Sequence, residues 1–143
     1  MSAEVVYRFA AQADVAAVLA LWRAADAHPT VTDDAAGLQV LISRDPQGLL
    51  IAEHDGAIVG SVIAGWNGWR GSLYRLAVHP QARRRGVATE LVRRAVDDLR
   101  RRGARRIDAF VVTADDHALH FWDSLTALGL DRDAPKTRYV VHE

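Results

Sequence analysis

The chain has no cysteine, so neither a disulfide nor a thiolate zinc site is available to it, and no metal centre is expected. Its start lacks the basic segment and apolar stretch of a secretory leader, and no apolar run approaches bilayer-spanning length. Lysine is nearly missing: Lys136 is the single instance, and arginine carries almost all the positive charge. Aromatic residues are absent from the most basic stretch, residues 83–106, where a nucleic-acid surface would use them to stack on bases. These absences leave the expectation of a soluble cytoplasmic protein without membrane or nucleic-acid partners.

What is present is a chain of 143 residues, half of them apolar, enough for one compact domain over residues 1–143. No internal boundary, repeat or low-complexity linker interrupts it. The formal net charge is zero but unevenly spread. Residues 83–106 hold ten arginines against Glu90, Asp97 and Asp98, a local charge of +7, which leaves −7 for the remainder. Such polarisation suits an anionic ligand on one side and a cationic one on the other.

Hydrophobic periodicity orders the elements. Residues 5–8 read as a short strand, followed by a helix with Asp14 in its first turn and an apolar stripe at Val15, Val18, Leu19, Trp22 and Ala25. His28, Pro29 and Thr30 end it, and Asp33-Asp34 starts a second helix through Leu38, Leu41 and Ile42. A strand over 48–54 turns at Asp55-Gly56, a strong hairpin signal, into a partner over 57–64. A loop punctuated by glycines, residues 65–71, precedes a strand over 72–78. A helix over 87–102 carries a stripe at Ala88, Leu91, Val92, Ala95 and Leu99 and stops at Gly103. A buried strand over 107–112, a helix over 116–128 and a final strand over 136–142 complete the pattern. The result is an α/β (α+β) mixed sheet, in which an antiparallel meander leads into a parallel β-α-β unit with a right-handed crossover. A nucleotide-binding Rossmann unit would place its glycine turn after the first strand, whereas here it follows four.

That turn carries the chemistry. The apolar run Leu76-Ala77-Val78 stops at His79-Pro80, and Arg83-Arg84-Arg85-Gly86-Val87-Ala88 then opens a helix. Consecutive backbone N–H groups at a helix start form an anion site. Gly86 lets phosphate approach the backbone and permits positive φ, and Ala88 keeps the first helical turn slim. An N–H bond to a charged oxygen contributes about 1.5–3 kcal/mol, against about 0.3–1 for the helix dipole, so the amides dominate.

The turn resembles the pyrophosphate turn of the Gcn5-related N-acetyltransferases, Gln/Arg-x-x-Gly-x-Gly/Ala, with Arg83, Gly86 and Ala88 at its three defined positions. The element order resembles that family's over nearly the whole chain, and the Gly-x-x-Gly-x-Arg-Gly loop resembles one found in small bacterial members. The resemblance implies an acyl-CoA-dependent N-acyltransferase, passing acetyl from acetyl-CoA to a primary amine of a small molecule or peptide by direct attack on the thioester. It implies that Arg83, Arg84, Arg85, Gly86, Val87, Ala88 and Thr89 hold the pyrophosphate. It further implies that Leu76, Ala77 and Val78 offer backbone to the pantetheine, where this strand bulges and splays from the next, and that the Val78 amide polarises the thioester carbonyl. Core packing accounts for Leu76 and Val78 equally well.

Departures from the family are plain. Asp115 stands where relatives carry an Asn on the pantetheine; it accepts but cannot donate, and a helix N-cap is the competing role. Ala118 and Phe121 match the small and aromatic positions of that helix. Trp122 replaces the tyrosine that serves as general acid, and an indole N–H has no useful acidity. A thiol of pKa near about 8.5 leaves as thiolate unaided. The general base is not evident: Phe110 stands where some relatives place Glu, and residues 72–78 contain no acid. Tyr74, His28, Asp26 and water stay open, with Tyr74 taken as the candidate. His28, Trp66, Trp69, Arg70 and Tyr74 are expected to meet the acceptor, although a loop folded over the core would equally explain the tryptophans. Trp122 and the missing base favour the alternative, a weakly catalytic CoA-binding sensor. A homodimer stays open.

Overall fold

The computed structural model describes residues 4–25, 30–112 and 115–142. It forms two compact units, the first ending at Phe110 and the second beginning at Val111. In the first unit, β1 (Val6–Phe9), α1 (Val15–Ala24), α2 (Ala35–Arg44), β2 (Leu49–His54), β3 (Ala57–Trp66), β4 (Gly71–Val78), α3 (Val87–Arg101) and β5 (Ile107–Ala109) follow in order. The strands lie side by side as β1-β2-β3-β4-β5. The first three pairings are antiparallel and β4–β5 is parallel, which is the expected mixed sheet.

Each sheet face has its own helical cover. Leu49 and Ile51 of β2 and Ala77 of β4 pack with Val18, Leu21 and Trp22 of α1 and Leu38 and Ile42 of α2. The intervening residues face α3, whose buried stripe is Val87, Leu91, Val92, Ala95, Val96 and Leu99. Gly60 lets this helix lie close: a Cβ there would stand 2.9 Å from Leu91 Cδ1 and 3.0 Å from Val87 Cγ1. The Asp55-Gly56 hairpin forms as expected, with both residues at positive φ (51° and 78°). Asp34 caps α2 by accepting from Gly37 N at 2.7 Å. Asp14, ahead of α1, takes both Nη groups of Arg8 at 2.9 Å, and that guanidinium holds its carboxyl below the usual carboxylate range. Arg102 does more than neutralise a helix end: its Nη2 meets Asp45 Oδ2 at 3.0 Å, tying the end of α3 to the α2–β2 connection.

The second unit holds α4 (Asp116–Asp123), then a 3-10 turn over Thr126–Leu128 closed by Gly129 at φ 84°. Three expectations need correction. Helix α4 is shorter than the residue 116–128 reading, because the chain tightens after Asp123. Strand β5 stops at Ala109 rather than running to 112. Residues 136–142 form no strand: Tyr139 and Val141 are 92% and 100% exposed, and no ladder pairs with them among the described residues. β-propensity describes fit to a neighbouring strand, and without a neighbour it makes nothing.

Candidate active site

Strand β4 leaves the sheet at Val78 into a short 3-10 turn over Pro80–Ala82, tied by the Ala82 N–H to His79 O bond at 2.8 Å. His79 serves this turn through Nδ1, which accepts from Gln81 N at 3.2 Å. Ala82 is buried, and Arg83, Arg84 and Arg85 are then exposed. Arg84 and Gly86 both take positive φ, 66° and 75°. Gly86 is the N-cap of α3, and no side chain caps that helix. The first intrahelical bond runs from Glu90 N to Gly86 O at 3.0 Å, so the amides of Val87, Ala88 and Thr89 have no acceptor within the helix. A Cβ built on Gly86 meets nothing within 4 Å. This is an open, uncapped row of donors beside three arginines, and it fits a pyrophosphate. The one acid in the first helical turn is neutralised sideways: Arg93 and Arg94 bond the Glu90 carboxylate, and Arg93 holds it below the usual carboxylate range.

Next to the turn, β4 runs on past the end of its parallel ladder with β5. Their ladder covers Gly71–Leu73 against Ile107–Ala109 and ends there, while β4 continues to Val78. Along β4 the N–H directions change partway. Gly71 donates toward β5, to Arg106 O at 3.0 Å, yet His79 donates toward β3, to Val59 O at 2.8 Å. In an unbroken strand, residues an even number apart point the same way. The reversal comes from a bulge: Ser61 faces Ala77 and Ile63 faces Tyr74, so Arg75 and Leu76 together oppose Val62. Because of that extra residue the Val78 N–H points toward the β5 side, where the ladder has ended. Leu76 and Val78 are half-buried there and Ala77 faces α1.

The bulge rests on Arg75, Ser61, Trp22 and Asp33, none of which was expected at the site. Arg75 sits at φ 50°, a region where non-glycine residues are uncommon. Its carbonyl, turned out of the ladder, accepts from Ser61 Oγ at 3.3 Å, and that hydroxyl accepts from Trp22 Nε1 at 2.8 Å. Its guanidinium grips Asp33 through Nε–Oδ1 (2.8 Å) and Nη2–Oδ2 (2.5 Å). One sequence signal exists: the alternation of Leu73, Tyr74 and Arg75 breaks into the continuous run Leu76-Ala77-Val78.

Of the described residues expected at the acceptor end, Trp69 and Arg70 come together, whereas Trp66 and Tyr74 lie on opposite faces of the sheet. Trp66 lies against Gly103 at the end of α3, 3.7 Å from a Cβ built there. Tyr74 pairs with Ile63, which packs on the opposite, α1–α2 core, and is 46% exposed. Trp69 is 68% exposed at the β3–β4 tip, with the Arg70 guanidinium 4.0 Å above its ring. Asn67 Oδ1 fixes that tip by accepting from Trp69 N and Arg70 N at 2.8 and 2.7 Å. Both His28 and Asp26 lie outside the described residues. In the second unit, Asp115 does cap α4, accepting from Ala118 N at 3.0 Å, and Phe121 and Trp122 meet edge to face at 5.7 Å. A separate groove of about 490 Å³ between β1 and α3, lined by Tyr7, Phe9 and Arg94 among others, lies across the sheet from the β4–β5 gap.

A sequence profile of the acetyltransferase (GNAT) family matches residues 15–126. The chain belongs to this family. An acetyltransferase of Pectobacterium atrosepticum is 37% identical over 114 residues, 80% of this chain and 81% of that protein. Among solved structures, the aminoglycoside N-acetyltransferase AAC(6')-Iy in complex with CoA superposes with a TM-score of 0.76 at 20% identity, over 99% of this chain and 97% of that one. Ard1 from Thermoplasma volcanium gives 0.76 at 18% identity, over 85% and 81%. As a GNAT protein the chain is an acyl-CoA-dependent N-acetyltransferase, with acetyl-CoA as its cosubstrate. The sensor alternative is not favoured.

Proposed function

We infer that this GNAT enzyme moves acetyl from acetyl-CoA to a primary amine, with β4 as the reaction's scaffold. The carrying observation is the reversal of β4, which presents the Val78 N–H at the end of the parallel ladder beside the Gly86 turn. When bound, acetyl-CoA supplies the acyl group as an activated thioester. The amides of Val87, Ala88 and Thr89, with Arg83, Arg84 and Arg85, hold its pyrophosphate. Val78 N–H donates to the carbonyl oxygen as negative charge develops there. A lysine-like amine costs about 4–5 kcal/mol to deprotonate at neutral pH. Its proton passes to water, with the Tyr74 hydroxyl, exposed on the α1–α2 face, as the described side chain that relays it by giving up one proton as it takes another. The family match runs through both units, and we treat them as parts of one acetyltransferase domain.

An amine panel, covering amino acids, polyamines, aminoglycosides and peptides, tests this reading through thiol release and the mass of the product. No acetylated product from any amine, with acetyl-CoA bound, would count against it.

Two substitutions refine the reading. Trp122 is assigned packing rather than proton transfer, so Trp122→Phe is expected to keep kcat within about tenfold, against the 10²–10⁴ of a lost general acid. Steady-state turnover decides, and a loss of three decades at normal stability would restore a chemical role to the indole. Trp69 stands at the hairpin tip, roughly 20 Å from Arg75 at about 3.3 Å per strand residue. Trp69→Ala is therefore expected to raise KM for a peptide acceptor and leave the acetyl-CoA Kd unchanged. A raised acetyl-CoA Kd would place the loop wrongly.

A further inference from the structure

We propose that Arg75 and Asp33 are positioning residues for acyl transfer: their ion pair holds the β4 bulge in the conformation that turns the Val78 N–H toward the β4–β5 gap. The proposal rests on the reading of Val78 as the carbonyl's donor. Without the bulge, the donation of Gly71 N to Arg106 O would propagate along β4 with fixed alternation, and Val78 would face β3. The extra residue that prevents this is held at three points. Arg75 occupies φ 50°. Its carbonyl is captured by the Ser61 hydroxyl, itself fully buried and held by Trp22 of α1. Its guanidinium is clasped two-pronged by Asp33, with Nη2 also 3.3 Å from Thr30 Oγ1.

Asp33 is pre-set for the task. Its Oδ2 accepts from Thr30 N at 2.6 Å, and its side chain is only 9% exposed, against 21% for Arg75. The pair therefore joins the bulge to the segment between α1 and α2, and a planar fork fixes direction as a lysine's single ammonium does not. Trp22 lies beneath, its ring centroid 6.0 Å from the guanidinium carbon. Nothing in this cluster lies on the α3 face, so weakening it leaves the packing of Leu91 and Leu99 in place.

The test uses Asp33→Asn and Arg75→Lys, both of which keep volume and some hydrogen bonding. Hydrogen exchange in the free protein reads the bulge directly. The His79 amide, bonded to Val59 O, is expected to exchange at least tenfold faster in both variants, with Leu91 unchanged. Turnover reads the consequence: kcat is expected to fall about tenfold to a hundredfold, the scale of a small misplacement of a reacting group. The acetyl-CoA Kd by calorimetry and the acceptor KM are expected to stay within threefold, and Asp33→Glu to recover part of kcat. The proposal is overturned by kcat within threefold of wild type, by unchanged exchange at His79, or by exchange that rises equally at Leu91, which would mark a merely structural pair. Should Asp33→Asn not fold, Arg75→Lys carries the same readouts. A wild-type protein inert toward every amine would instead refute the functional reading, and the exchange arm would still test the clamp.

Discussion

Gly86→Val is expected to weaken acetyl-CoA binding at least a hundredfold in a protein that still folds. The turn that holds Gly86 is on the surface, and a Cβ there meets nothing within 4 Å, so the protein leaves open space where the new side chain starts. Two effects act on the ligand instead. The valine methyls occupy the open space that the phosphates need, and φ 75° is a conformation that a β-branched residue resists. Relaxing that strain swings the amides of Val87 and Ala88 out of line. Losing two N–H bonds to charged oxygens costs about 3–6 kcal/mol, which is two to four decades in Kd. Calorimetry with acetyl-CoA measures it, and a thermal melt shows that the variant is folded. Unchanged affinity in a folded variant would remove the turn from the binding site.

Ser61→Ala is expected to give the largest loss of stability from a single atom. The Ser61 hydroxyl is fully buried between α1 and β4 and is used in both directions: it accepts from Trp22 Nε1 and donates to the Arg75 carbonyl. Its removal takes the acceptor from a buried indole N–H, at about 1–3 kcal/mol, and one donor from the Arg75 carbonyl, at about 0.5–1.5 kcal/mol. The total of roughly 1.5–4.5 kcal/mol corresponds to a melting temperature lower by about 10 °C, given a few degrees per kcal/mol at this size. Trp22→Phe in the alanine background removes one of the stranded groups, so the double variant should lose less than the two single losses combined. Additive losses would show that the three groups do not act as a chain. Turnover should fall with the bulge, beyond what the melt explains.

Three parts of this fold were legible in the sequence because their causes are local. Asp55-Gly56 declared a hairpin since both residues must take positive φ, and Asp34 declared the start of α2 since its side chain reaches Gly37 N. The stripe through Leu91, Val92, Ala95 and Leu99 announced which face of α3 is buried, although Ala88, expected in it, is only half-buried. Gly86 and the arginines before it marked the anion turn for the same kind of reason, a requirement on one residue's own backbone.

Pairings were less legible. The expected final strand had the right residue types in Tyr139, Val140 and Val141, and all three are exposed with no ladder. Strand β5 had apolar residues enough to reach 112 and stops at Ala109, opposite Leu73. Trp66 and Tyr74 belong to neighbouring strands, and both were expected to meet the acceptor. Alternation sends one toward the end of α3 and the other to the α1–α2 face.

By itself, then, the sequence determined most of the elements, the glycine turn that opens α3 and the family to which they belong, since each is written in residues close together in the chain. The tertiary structure alone decided which way the Val78 N–H points. That direction depends on one extra residue in β4, and the bulge is kept by Asp33, Ser61 and Trp22, which reach it from α1, the α1–α2 connection and β3. A backbone direction set by partners so distant in sequence leaves no local signature beyond the continuous run Leu76-Ala77-Val78, because it exists only once those side chains have been packed against the strand.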